Sequence, residues 1–233
     1  PKFSRMQELA VIIQTGTAPE IKSELARLQS EPGFQSPAWA ANLAKLAQVL
    51  ETLTPSFKVF ALGGNSKLPF VAFSTLPGVT CPGAGECLQF CYSFRAWRYP
   101  AAFARMAQNA FLMRFNKQSI YALFSNIAQN RPEGFDFRLY VDGDFANVAD
   151  VEFWMDALTA NPRARAYGYS KSFTEILAFN SRAGVWPKNY MLNISGGHNA
   201  PADIVESVKA LPITRGECIA VSIGRKVKST DHG

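Results

Sequence analysis

Long hydrophobic runs are missing from this chain. No uninterrupted apolar stretch reaches the roughly 18 residues that a membrane span needs, so a membrane protein is not expected. The opening segment, PKFSRMQELAVIIQTG, mixes charge into its apolar stretch and does not read as a signal peptide. Cysteine is scarce: four in 233 residues make no disulfide framework and suit a reducing, cytoplasmic setting. Histidine is scarcer, with only His198 and His232, the latter too near the end to interpret. There is no Ser–His–Asp signature and no helical zincin motif, which removes support for hydrolase readings. No Gly-rich dinucleotide fingerprint or phosphate loop follows any predicted strand, and GGNS at 63–66 reads as a turn. The chain begins with Pro and stops at STDHG without terminal character, so further chain is expected beyond Gly233.

What is present is an ordinary globular balance, 48% apolar and 18% charged, which argues against extensive disorder. The net charge of +6 suits a polyanion such as nucleic acid. The excess is spread over short, separate groups: Lys22 with Arg27, Arg95 with Arg98, Arg163 with Arg165, and Arg225 to Lys228.

Residues 1–56 read as a helical extension. QELAVIIQ, APEIKSELARLQ and SPAWAANLAKLAQVLETL place apolar residues at three- and four-residue steps. Ser36 and Pro37 suit a cap and first turn, and Leu43, Leu46, Val49 and Leu50 share a face. From residue 57 the rhythm changes, and 57–233 reads as one α/β domain. FKVFAL, PFVAFSTL, FDFRLYVDGD, ARAYGYSKS, NYMLNISGG and CIAVSIGRK are expected strands, and helical patterns separate the later ones. Such alternation implies parallel strands with right-handed crossovers. A partial or small TIM-like barrel is the expected architecture.

Several expected strands end in polar residues: Ser74–Thr75, Asp142–Gly143–Asp144, Ser170–Lys171–Ser172, Asn193 with Ser195, and Ser222 with Arg225. In parallel α/β proteins the C-terminal strand ends share one rim, where sites are built.

The strongest local signal is TCPGAGECLQFCYSFRAWRY, in which Cys81, Cys87 and Cys91 are spaced C-x5-C-x3-C between a strand and a long helix. Thiolates bind soft metals, and three from one loop suit an iron–sulfur cluster such as [4Fe-4S]. Cys218 supplies a fourth ligand, or a non-protein ligand takes that position. Zinc is the alternative metal, and a loop without metal is the third reading. Pro82, Gly83 and Gly85 let backbone amides point toward cluster sulfurs, and Phe90, Tyr92 and Phe94 offer shielding.

Asp142 and Asp144, two apart at a strand end, are expected to face one pocket as acid, base or polar ligands, or else to form a turn and helix cap. Lys171 is a candidate for a cofactor carboxylate or phosphate. His198, in SGGHNAP, is a candidate ligand or proton shuttle, with Asn193 and Ser195 beside it as cofactor-binding residues. Tyr92, Phe94, Trp97 and Tyr99 alternate with Arg95 and Arg98, a pattern that serves base stacking or core packing.

A three-cysteine loop after the first strand resembles the radical S-adenosylmethionine enzymes, although their usual spacing is C-x3-C-x2-C. That resemblance implies an open iron that chelates the cofactor, with VDGDF at Val141 to Phe145 in the place of a strand that meets the cofactor amine. From Phe70 to Gly233 the chain is similar to the phage and plasmid "gene product eighty-eight" family. It carries CPGAGECLQFCYSFRA, RLYVDGDFANVADVEFW, AYGYSKSF and VSIGR. This second resemblance implies association with mobile elements, a shared pattern of cysteine ligation and further cysteines downstream, with no established reaction. Three functions follow as expectations. One is a cluster-dependent radical enzyme. Another is a metal-stabilised protein that binds nucleic acid or a host protein without catalysis. The last is a nucleotide- or base-modifying barrel with structural zinc.

Overall fold

The structure is a computed structural model that describes residues 2–64, 68–182 and 184–219. Three helices come first: α1 (Lys2–Thr15), α2 (Ala18–Ser30) and α3 (Pro37–Thr52). A capping box between Thr17 and Glu20 starts α2, and Pro37 occupies the first turn of α3. Leu43, Leu46, Val49 and Leu50 are all buried, as their spacing predicts. These helices share one hydrophobic core with the rest of the chain. Trp39 packs on Phe103, Phe3 on Trp97, and Arg114 donates to the Ile13 carbonyl.

Five parallel strands form one sheet: β1 (Val71–Ala72), β2 (Phe135–Leu139), β3 (Ala164–Ser170), β4 (Tyr190–Ser195) and β5 (Thr214–Cys218). Between them run α4 (Pro100–Phe115), α5 (Lys117–Gln129), α6 (Val148–Ala160), α7 (Phe173–Ser181) and α8 (Ala202–Lys209). Strands neighbour one another in chain order, β1-β2-β3-β4-β5. A doubly wound sheet reverses its order, whereas this one winds in a single direction, which carries every right-handed crossover to the same face. Among the described residues β1 and β5 do not pair, so the sheet is open rather than a closed barrel.

Burial alternates along the strands as a period of two requires. Phe135, Phe137 and Leu139 of β2, Ala164 and Ala166 of β3, and Tyr190, Leu192 and Ile194 of β4 are buried. Between them, Arg138, Tyr167, Tyr169, Met191 and Asn193 stand on the less buried face. Phe60, Phe73, Phe124, Phe137 and Trp154 pack as a connected aromatic group behind the sheet.

Two expected strands differ. FKVFAL forms only an isolated bridge, Ala61 with Ala72. Its backbone bonds go elsewhere: Gln108 Oε1 accepts from the Ser56 and Phe57 amides, and Asn109 Nδ2 donates to the Val59 carbonyl. Buried amides on α4 thereby satisfy a segment that its β-branched and aromatic residues alone would assign to a sheet. PFVAFSTL contributes only Val71–Ala72. Most of CIAVSIGRK, with Ser222, Arg225 and Lys228, lies outside the described residues, as does His232. None of the described helices is long and apolar enough to cross a membrane.

Candidate metal centre

The cysteine loop follows β1 and lies over the C-terminal ends of the strands. It is fastened to the loop after β4, more than 100 residues further along the chain. Gly85 and Cys87 both donate their amides to the Gly197 carbonyl at 3.1 and 3.2 Å, and the Asn199 amide donates to Gly83. Ala84 and His198 form an antiparallel bridge. The glycines permit this contact. A methyl on Gly83 would fall on the Lys171 carbonyl, and one on Gly85 would meet the His198 backbone at 2.8 Å. Gly197, at φ +74°, adopts the left-handed conformation that glycine tolerates, directly under Cys87. The amides of Gly85 and Cys87 therefore serve the fastening and are not among those the loop could turn toward cluster sulfurs.

Cys81, Cys87 and Cys91 line one cavity of about 260 Å³, and Cys218 lines it too. Burial pushes the Cys81 thiol up to about 12, the Asp144 carboxylate adds to this, and Cys91 and Cys87 lie close enough to contribute. No such influence comes from Cys218, which is exposed and sits on the β5 side of the opening. Among the described residues, no three His, Cys, Asp or Glu side chains gather where a single metal ion would sit.

A titration prediction follows for metal-free protein. The folded state keeps the Cys81 proton at a pH where the unfolded chain releases it. Stability therefore falls as pH rises from the ordinary thiol value of about 9 toward 12. Denaturant unfolding of chelator-treated protein should show this slope, and Cys81→Ala should make it shallower, leaving the part above about pH 10 that comes from buried Tyr140 and Tyr190. An unchanged slope in Cys81→Ala would assign it to other groups.

The two aspartates part company. β2 ends at Leu139, Tyr140 takes a left-handed φ of +56° and Gly143 one of +80°, so the chain turns twice where alternation assumes an extended strand. Asp144 lines the cavity but is 4% exposed. Its oxygens accept from Ser170 Oγ, the Lys171 amide and the Phe145 amide at 2.7, 2.7 and 2.8 Å. Burial raises its pKa against the pull of these donors. Asp142 is absent from the cavity lining. Neither caps α6; Asn147 does, accepting from the Asp150 amide.

Lys171 and Ser195 both line the cavity, and Lys171 donates to Ser195 Oγ at 2.6 Å. Asn193 does not line the cavity and reaches only toward the Gly168 carbonyl at 3.5 Å. His198 lies behind the cysteine loop, its ring against Phe173 at 4.9 Å and its Nδ1 buried without a hydrogen-bond partner among the described residues. Of the polar strand ends, Asp144, Lys171 and Ser195 reach the cavity, whereas Ser74, Thr75, Ser170 and Ser172 are buried outside it. The basic and aromatic interleaving also divides. Phe90 and Tyr92 line the cavity, Phe94 and Trp97 pack with Phe3, and Tyr99 is exposed beneath the Arg98 guanidinium. That division does not make a continuous stacking surface. Arg138, which also lines the cavity, carries no sequence motif; the alternation of β2 about buried Phe137 and Leu139 was the available signal.

These features define a parallel α/β protein with a three-cysteine loop clamped over the strand ends. A family model described as Gene product 88 matches residues 39–224, which include the cysteine loop and all five strands. The chain belongs to the Gene product 88 family. No curated protein and no solved structure matches it significantly, so the resemblance to radical S-adenosylmethionine enzymes gains no relative from these comparisons.

Proposed function

We propose that Cys81, Cys87 and Cys91 hold a [4Fe-4S] cluster whose remaining iron faces the cavity. On this reading the protein performs one-electron chemistry on a small molecule, in the service of a mobile genetic element. The observation that carries the reading is the convergence of three soft donors, from one clamped loop, on a cavity at the strand ends. One zinc ion would draw its thiolates to within about 4 Å of one another, given its short bonds and tetrahedral geometry. A cluster would instead spread its thiolates over separate irons. The one-way winding of the sheet supports the finer reading of the fold as a partial barrel.

When bound, such a cluster supplies single electrons at a potential set by its surroundings. The chain's own residues fix the loop through Gly197, hold Lys171 against Ser195, and limit water at the opening with Phe90 and Tyr92. S-adenosylmethionine is the cofactor that the open iron would take. Asp144 lines the same cavity, with its oxygens accepting from Ser170 and from the Lys171 and Phe145 amides.

Anaerobically purified protein should be brown, absorb near ~400 nm and carry about four irons per chain. Cys81→Ser, Cys87→Ser and Cys91→Ser should each lose most of that iron, while Cys218→Ser keeps it. Reduction in the presence of S-adenosylmethionine should release 5′-deoxyadenosine. A colourless, zinc-loaded protein would sink the proposal. An intact cluster without this product would leave the non-catalytic reading, for which salt-dependent retention on nucleic acid is the assay.

A further inference from the structure

The cavity contains a cation that the cysteine reading does not use. Arg138 lies on β2, between Ala72 of β1 and Tyr167 of β3 in register, on the face opposite the aromatic core. It lines the cavity with Cys81, Tyr169, Lys171 and Ser195. Its guanidinium stands 5.4 Å from the Tyr169 ring centroid and 6.0 Å from that of Phe70. Its Nε is buried and has no hydrogen-bond partner among the described residues. The acid nearest it on the same strand face, Asp136, is taken by Arg165 at 2.8 Å. Lys171 donates to the neutral Ser195 hydroxyl, and its charge also acts on the Asp144 carboxylate in the same cavity.

A buried donor without an acceptor is costly, and a guanidinium presents a planar fork matched to two oxygens of one anion. Ring contacts orient this fork without satisfying it. We infer that Arg138 is the anchor of an oxyanion subsite, which takes the carboxylate or phosphate of the small molecule bound in the cavity. Lys171 supplies a second positive charge. Tyr169 restricts the guanidinium to a fixed plane. This names the substrate class of the site under Proposed function and rests on that reading for the reaction, but not for the binding, which needs no iron.

The test uses the full chain in iron-loaded and iron-free forms. Inorganic phosphate and succinate are titrated separately against thermal unfolding and intrinsic fluorescence, with sodium chloride as the ionic-strength control. One of the two anions should give a saturable response in both forms of the protein, and its identity tells phosphate from carboxylate. Arg138→Gln should abolish the response. Arg138→Lys keeps the charge without the fork and should weaken binding at least ~tenfold, the scale of one charge-assisted hydrogen bond. Arg182→Gln, at an exposed position paired with Glu152 and outside the cavity lining, should bind as the parent does. Absence of saturation with either anion, or an undiminished response in Arg138→Gln, overturns the inference. If Arg138→Gln does not fold, wild-type affinity in Arg138→Lys overturns it instead. Anion binding through Arg138 by a protein that takes up no iron even when purified anaerobically would refute the cluster proposal and leave this subsite standing.

Discussion

On the cluster proposal, Gly83→Ala is expected to cost the anaerobically purified protein most of its iron while leaving the sheet and helices folded. The added methyl would fall on the Lys171 carbonyl, a backbone atom that cannot step aside as a flexible side chain would. The cysteine loop must then lift from the strand ends, which disturbs the Gly83 contact with Asn199 and the two bonds to Gly197. Overpacking of this kind costs about 1–3 kcal/mol. Cys81 and Cys87, on either side of the glycine, would move with the loop. Gly33→Ala is the control: nothing lies within 4 Å of its would-be methyl, and it should stay within ~0.5 kcal/mol of the parent with full iron. Iron content and circular dichroism on the same samples decide the matter. A fully loaded Gly83→Ala would show that the loop's seat is irrelevant to metal binding.

Asp144→Ala should be the most destabilising single substitution at the strand ends. It removes the acceptor of three donors, Ser170 Oγ and the amides of Lys171 and Phe145, at a position almost wholly buried. Each unsatisfied buried group costs about 1–3 kcal/mol, and partial relaxation places the sum near ~3–5 kcal/mol. Asp144→Asn keeps one carbonyl oxygen but turns an amide toward a donor, so an intermediate loss of ~1–2 kcal/mol is expected. The order of the two variants carries the argument. If denaturant unfolding finds Asp144→Ala no worse than Asp144→Asn, the carboxylate is not the hub of this turn. Loss of cavity function with undiminished stability would instead return Asp144 to an acid–base role.

The helices and their faces were legible because amphipathic spacing reports burial directly, as Leu43, Leu46, Val49 and Leu50 do. Strands β2, β3 and β4 were legible from alternation. FKVFAL was misread because its hydrogen-bond partners, Gln108 and Asn109, lie some 50 residues away and leave no mark on the local pattern. The pairing of Asp142 with Asp144 failed for a related reason. The argument from period two needs an extended chain, and the left-handed Tyr140 is not announced by its residue type. At the candidate site, the cysteines declared themselves by clustering and Lys171 by its place at a strand end. Arg138 stayed hidden because its signal is a buried Nε without a hydrogen-bond partner among the described residues, which only coordinates reveal.

The fastening of the cysteine loop to Gly197 and His198 bears on the order in which the molecule matures. A chain made from its N-terminus exposes Cys81, Cys87 and Cys91 long before the segment that clamps them exists. Until β4 has formed and its following loop has docked, the three thiols belong to a loose segment open to oxidation and to the wrong metal. On the cluster proposal, maturation of the centre would therefore be a late event, gated by the last third of the chain. Ribosome-bound fragments that stop before Gly197 should capture iron poorly even though every cysteine of the loop is already present.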